Sequence, residues 1–259
     1  MDAELFPRGR TEIAPGAVHL PDRLDAGLQR ELLDACRRWA RPPAGLRTVR
    51  TPGGGTMTAR QVCLGWHWGP VRACPSCGRA VRDNPDCPGP HAYPYAYSRT
   101  VVDGDGAPVK PFPSRLGDLA RRAVTDALGA RAVPAAPYDI ALVNFYDADA
   151  RMGMHRDEDE LSDAPVVSLS LGDTCVFRFG NTETRTRPYR DVELRGGDLF
   201  VFGGPARFAY HGVPRVRPGT APPELGLVGR LNITLRVSGL RRASLPGTSP
   251  AQIMGDSPP

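Results

Sequence analysis

Gly229-Arg230-Leu231-Asn232-Ile233-Thr234-Leu235-Arg236-Val237 alternates without a break. Because successive strand side chains point to opposite faces, Leu231, Ile233, Leu235 and Val237 share one face and Arg230, Asn232, Thr234 and Arg236 the other. The stretch therefore predicts a strand packed on one side and polar on the other. Working outward, short apolar runs recur at 140–146, 166–171, 175–179 and 198–202, separated by glycine-bearing turns with no helical pattern between them. Several short strands of that kind predict a β-sandwich, jelly roll or barrel.

The front of the chain reads differently. Leu24, Leu28, Leu32, Ala35, Cys36 and Trp39 recur at helical spacing, with Pro21-Asp22 before them and Pro42-Pro43 after, so a helix is expected over 22–39. Residues 45–112, rich in Gly, Pro and Cys, read as hairpins and loops. A second helix is expected over 113–128. The predicted organisation is a helix and loop-rich front over 1–112, a helix and β core over 113–239, and a disordered Ser/Pro/Gly tail over 240–259.

With 259 residues, 41% of them hydrophobic and 24% charged, the chain can bury its own core, which excludes a disordered or coiled-coil protein. No apolar run approaches the ~18 residues of a membrane span. The opening MDAELFPRGRTE has no apolar core of a secretory signal, and the expected compartment is the cytoplasm. The formal charge is +5, carried by arginine except for Lys110. An arginine-rich surface suits a polyanionic partner, but charge of this size is equally a solvated surface.

His155-Arg156-Asp157 places an imidazole and a carboxylate two positions apart, on one side of an extended segment. His211 follows a Gly203-Gly204 turn and the aromatic Phe208-Ala209-Tyr210. Two histidines and one carboxylate form the ligand set of non-haem Fe(II), with positions left open for a co-substrate and dioxygen. The same residues in isolation also fit a solvated loop beside the acidic run 157–160. The polar face of 230–237 adds a second signal: two arginines roughly 20 Å apart along a strand, needing anions if the face is concave. A small dicarboxylate such as 2-oxoglutarate fits between them, chelating iron at one end.

An ordered set of motifs carries a resemblance. Asn144-Phe-Tyr146, His155-Arg-Asp157-Glu-Asp159, Ala164-Pro-Val-Val-Ser-Leu-Ser170, Gly197-Asp198, Tyr210-His211-Gly212 and Arg230-x-Asn232-x-Thr234-x-Arg236 resemble those of the AlkB family of Fe(II)/2-oxoglutarate-dependent dioxygenases. Thr51-Pro-Gly-Gly-Gly-Thr-Met57, Leu64-Gly-Trp66 and Tyr95-Ala-Tyr97-Ser98 are similar to its substrate-side segments, so the likeness runs in order from about residue 17 to 239. The resemblance implies a mostly β protein: a double-stranded β-helix (jelly-roll) core with flanking helices and an N-terminal nucleotide-recognition lid. It implies iron on His155, Asp157 and His211, and 2-oxoglutarate on Asn144, Tyr146, Arg230, Asn232 and Arg236. Arg230 and Tyr146 would meet the distal carboxylate, and Arg236 and Asn144 the metal-proximal one. Thr51, Trp66, Tyr95 and Asp159 would lie on the nucleotide side, Trp66 stacked on the base. A stacking face helps an enzyme that extrudes its target base.

The implied activity is oxidative dealkylation, as in direct reversal of DNA damage. Fe(II) and O2 convert 2-oxoglutarate to succinate and CO2 while an N-alkyl carbon of a base in DNA or RNA is hydroxylated and lost as aldehyde. The implied protein is a monomer, with alkylated DNA or RNA as partner and no membrane. Two departures stand out. Strict register puts Thr184 where the family has a base-side arginine, and Arg185 comes one position later. An insertion over 67–94 holds Cys74, Cys77, Cys87 and His91, whose C-x2-C-x9-C-x3-H spacing is knuckle-like. In a reducing compartment it predicts a structural zinc, against free thiols or a redox pair. The insertion also leaves room for a tailoring hydroxylase acting on tRNA or a small molecule. A nucleic-acid-binding protein with an inactive core has no need of the intact His/Asp/His and arginine sets.

Overall fold

The computed structural model describes residues 8–50, 55–70 and 95–240. In chain order the elements are β1 (Thr11–Ala14), β2 (Ala17–Leu20), α1 (Ala26–Trp39), β3 (Arg47–Arg50), β4 (Thr56–Leu64), β5 (His67–Pro70), β6 (Tyr95–Ser98) and α2 (Ser114–Leu128). There follow β7 (Ile140–Tyr146), β8 (Met152–His155), β9 (Val166–Gly172), β10 (Thr174–Phe179), β11 (Arg190–Leu194), β12 (Leu199–Phe202), β13 (His211–Arg217) and β14 (Arg230–Arg236). Eight strands form one sheet in the order β1-β2-β12-β9-β14-β7-β4-β3, and four form a second in the order β11-β10-β13-β8. β5 and β6 make a separate two-stranded hairpin.

The alternation of β14 is realised as the sequence predicts. Leu231, Ile233, Leu235 and Val237 pack with Leu32 and Leu33 of α1 and Leu116, Ala120 and Val124 of α2 behind the large sheet. The opposite face looks into the space between the sheets. A second core of Phe177, Phe179, Phe200, Phe202, Val213 and Val216 fills the rest of that space. Two antiparallel sheets enclosing one interior are the jelly-roll arrangement. Strand order explains why: β14 lies between β9 and β7, and its polar row sits at the middle of the large sheet.

Local signals set the element ends. α1 begins at Ala26, later than expected, because Asp25 is its cap: the carboxylate accepts the Leu28 N–H at 2.8 Å. Arg37 and Arg38 occupy its last turn, where the helix dipole favours cations. Among the described residues before 112, four strands join the large sheet. β1 and β2 extend the large sheet beside β12, and β3 and β4 extend it beside β7, while the β5–β6 hairpin stands apart from it. The polar opening concealed these strands because they are short and broken by the Pro15-Gly16 turn.

Gly229 shows how sequence places the site. Its φ is +100°, and a Cβ there would meet the Tyr146 carbonyl oxygen at 2.6 Å. Only glycine allows the chain to turn that closely into β14. The turn brings Arg230 directly opposite Tyr146, starting a register that continues through Asn232 opposite Asn144 to Arg236 opposite Ile140.

Candidate active site

β8 and β13 are neighbours, and His155 pairs directly opposite His211. Their rings lie 4.5 Å apart between centroids. Asp157, just past β8, is buried, with one oxygen 3.7 Å from His155 Nε2 and the other 3.7 Å from His211 Nε2. Ligand atoms of the three residues all lie within 4.8 Å of one another, the one such cluster among the described residues.

The environment prepares these groups to hold a cation. Each histidine has Nδ1 against a backbone carbonyl, Gly153 at 2.9 Å and Ala209 at 3.0 Å, which fixes the ring and turns Nε2 inward. Burial and the neighbouring His155 hold the His211 imidazole down at about 4, so it is neutral and able to ligate at physiological pH. Burial alone would raise the Asp157 carboxyl, but Arg236 and the two histidines bring it below its ordinary value. Asp157 Oδ2 is buried without a hydrogen-bond partner. An orphaned carboxylate oxygen between two oriented imidazoles fits a divalent metal.

The triad lines a cavity of about 520 Å³, which also receives Asn144, Tyr146, Arg230, Asn232 and Arg236, the whole expected co-substrate set. Arg230 is 1% exposed, with Nη2 donating to Ser170 Oγ at 2.9 Å and Nε unpartnered. A buried guanidinium with an unused donor requires an anion to complete it, and a carboxylate supplies one. Arg236 is more committed: Nη2 lies 2.6 Å from Asp157, Nη1 lies 2.8 Å from Glu160, and its Nε is unpartnered. Asn232 donates to Ser168 Oγ at 2.6 Å and accepts from Thr234. The residues present therefore fit both the metal and a dicarboxylate.

The same cavity is lined by Trp68, Tyr95, Asp159 and Arg185. Trp68 and Tyr95 stack with centroids 4.1 Å apart and planes 12° apart. Trp68 Nε1 donates to Asp159 at 2.7 Å. Burial raises the Asp159 carboxyl despite that bond. Arg185 lies over the Tyr210 ring at 5.7 Å.

The expectation for Trp66 is corrected. Trp66 is buried outside the cavity, packed with Cys63, Ile140 and Leu142. The Arg99 guanidinium covers its ring at 3.4 Å, and its Nε1 donates to Asp139 at 2.9 Å. Gly65, at φ +80°, makes the turn between β4 and β5, and a Cβ there would overlap the Asp139 carbonyl oxygen. Trp68, not Trp66, lines the cavity. Two further residues, Gln61 and Glu160, escaped the sequence reading, and Met57 entered it only as part of the 51–57 segment. Gln61 and Met57 line the cavity, and Glu160, in an acidic run that reads as solvated, is buried against Arg207 and Arg236. Tyr97, two positions from Tyr95, was the available hint, since its hydroxyl donates to Glu160. Thr51, Cys74, Cys77, Cys87 and His91 lie outside the described residues.

Fold, triad and arginine row together define an iron- and 2-oxo-acid-dependent oxygenase. The chain belongs to the 2OG-Fe(II) oxygenase superfamily, which it matches over residues 16–236. Its relatives place it in the AlkB family. An AlkB homologue of Caulobacter vibrioides, an alpha-ketoglutarate-dependent dioxygenase, is 49% identical over 104 residues, covering 40% of this chain and 46% of that protein. The dioxygenase AlkB of Salmonella typhimurium is 32% identical over 230 residues, covering 86% and 91%. The solved structure of OsALKBH1 superposes with a TM-score of 0.68 at 31% identity, covering 88% of this chain and 99% of that one. The chain thus spans about half the length of the Caulobacter relative and nearly all of the other two.

Proposed function

We propose that this chain is an Fe(II)/2-oxoglutarate-dependent dioxygenase that oxidatively demethylates N-alkylated bases in DNA or RNA. One observation carries the reading: a single cavity joins the His155/Asp157/His211 cluster and the arginine row to a stacked aromatic pair beside a carboxylate. When bound, iron with 2-oxoglutarate and O2 supplies the oxidation of an alkyl carbon.

The rest is the work of the side chains. His155, Asp157 and His211 would hold the metal. Arg230 and Tyr146, paired across β14 and β7, would grip the far carboxylate, with Asn144, Asn232 and Arg236 along the near part of the same row. Trp68 and Tyr95 offer aromatic faces to an extruded base, and Asp159 places negative charge where a cationic alkylated adenine or cytosine gains most. Arg185, which lines the same cavity, would meet the nucleotide. Among the described residues no helix is long and apolar enough to cross a membrane. Cys36, Cys63 and Cys175 are free thiols, in keeping with the reducing cytoplasm as the place of action.

The deciding assay is succinate release by iron-loaded protein given methylated or unmodified oligonucleotides. Methylated strands should stimulate succinate release and lose their methyl groups. Asp157→Ala should keep its circular dichroism spectrum and lose both activity and stoichiometric iron. Full demethylation by that variant overturns the assignment.

A further inference from the structure

Gln61 sits on β4 directly opposite Asn144 of β7, which is itself opposite Asn232 of β14, opposite Ser170 of β9. Four adjacent strands thus carry one polar residue each at the same level, facing the inside of the jelly roll. Gln61 is 2% exposed and Asn144 6%. A side-chain amide so deeply buried is costly unless its two ends meet opposite partners, so the hydrogen bonds reveal which way each amide faces.

They do so without ambiguity here. Gln61 Oε1 accepts from Arg47 Nη2 at 3.3 Å and from the Cys63 thiol at 3.4 Å. A guanidinium can only donate, so that end of Gln61 must be oxygen. Its nitrogen is then turned to Asn144, where Nε2 donates to Oδ1 at 3.0 Å. With Oδ1 turned to Gln61, the amide N–H groups of Asn144 face away from Gln61, and Asn144 lines the cavity. Arg47 is itself held, with Nε donating to Asp103 at 2.7 Å and Nη2 to the Trp68 carbonyl at 2.7 Å.

From this geometry we infer that Gln61 is a positioning residue: it locks the Asn144 amide with its donor end toward the co-substrate carboxylate. The inference rests on the proposed function, in which Asn144 faces 2-oxoglutarate. It also gives the buried Arg47–Asp103 pair a part in binding, because that pair sets the direction of Gln61.

The test is a double-mutant cycle read by calorimetric titration of 2-oxoglutarate into anaerobic Fe(II)-loaded protein. Gln61→Glu, kept ionised by Arg47, can only accept. Asn144 must then turn its nitrogen toward residue 61 and its oxygen toward the carboxylate. Affinity should fall about tenfold or more, the worth of a charge-assisted hydrogen bond. Gln61→Leu frees the amide to rotate and should cost less. In an Asn144→Ala background both substitutions should change affinity by less than about twofold, because the group they act through is gone. Thermal midpoints are measured alongside, and Gln61→Leu carries the test if Gln61→Glu folds poorly. Losses at residue 61 that persist undiminished in Asn144→Ala, or wild-type affinity in both variants, overturn the inference and leave the proposed function standing. Failure of wild-type protein to bind 2-oxoglutarate removes both.

Discussion

Arg236 Nη2 lies 2.6 Å from Asp157 Oδ1, so the last residue of β14 directly holds the carboxylate set between the two histidines. The same guanidinium meets Glu160 at 2.8 Å, and Glu160 meets Arg207 at 2.8 Å. Two buried carboxylates balance two buried guanidinium groups. Glu160→Gln upsets that balance and leaves an uncompensated cation, which costs about 3 kcal/mol or more. Denaturant unfolding should show that loss. A midpoint within error of wild type would mean that Glu160 is not the counter-charge its position makes it.

Trp66 and Trp68 are two residues apart and should behave oppositely. Trp68→Ala removes the aromatic face beside Tyr95 and should raise KM for methylated oligonucleotide by about tenfold, with the value of one base stack, while 2-oxoglutarate affinity stays unchanged. Trp66→Ala opens a void beneath Arg99 and should cost about 3–5 kcal/mol of stability. Steady-state kinetics and thermal unfolding separate the two; exchanged phenotypes would return the stacking role to Trp66.

Asp198 governs acid stability. Burial opposes its charge, but His19, Arg8 and the N–H groups of Arg195 and Asp22 converge on the carboxylate and bring it down to about 2. Its unfolded value is near 3.9. A depressed carboxylate stabilises the fold fully above the unfolded value and loses that contribution as pH falls toward the folded one. The contribution above pH 5 should be on the order of 2 kcal/mol. Asp198→Asn should therefore be less stable than wild type at pH 7, with the gap narrowing between about pH 4 and 2. A gap independent of pH would show that packing, not charge, is what Asp198 provides.

What the sequence disclosed follows from the range of the forces involved. β14 was legible because its burial pattern is strictly local, each alternate residue facing apolar helices or the polar interior. His155 and Asp157 were legible for the same reason, two positions on one side of a short extended segment. β13 was not, because exposed Pro214, Arg215 and Arg217 mask the alternation while β10 and β8 on either side supply its pairing. Gln61 and Glu160 were hidden for a related reason. Nothing near Glu160 in sequence announces that Arg207 and Arg236 will surround it. Trp66 misled because the groups that hold it, Arg99 over its ring and Asp139 on its Nε1, are remote in sequence.

The β5–β6 hairpin holds Pro70 opposite Tyr95, so whatever chain joins them leaves and returns at one point. Lengthening a loop whose ends are already fastened costs only about 0.6 kcal/mol per doubling. The hairpin is therefore a socket: its own pairing fastens both ends of that connection, while His155, His211 and the arginines are anchored on other strands.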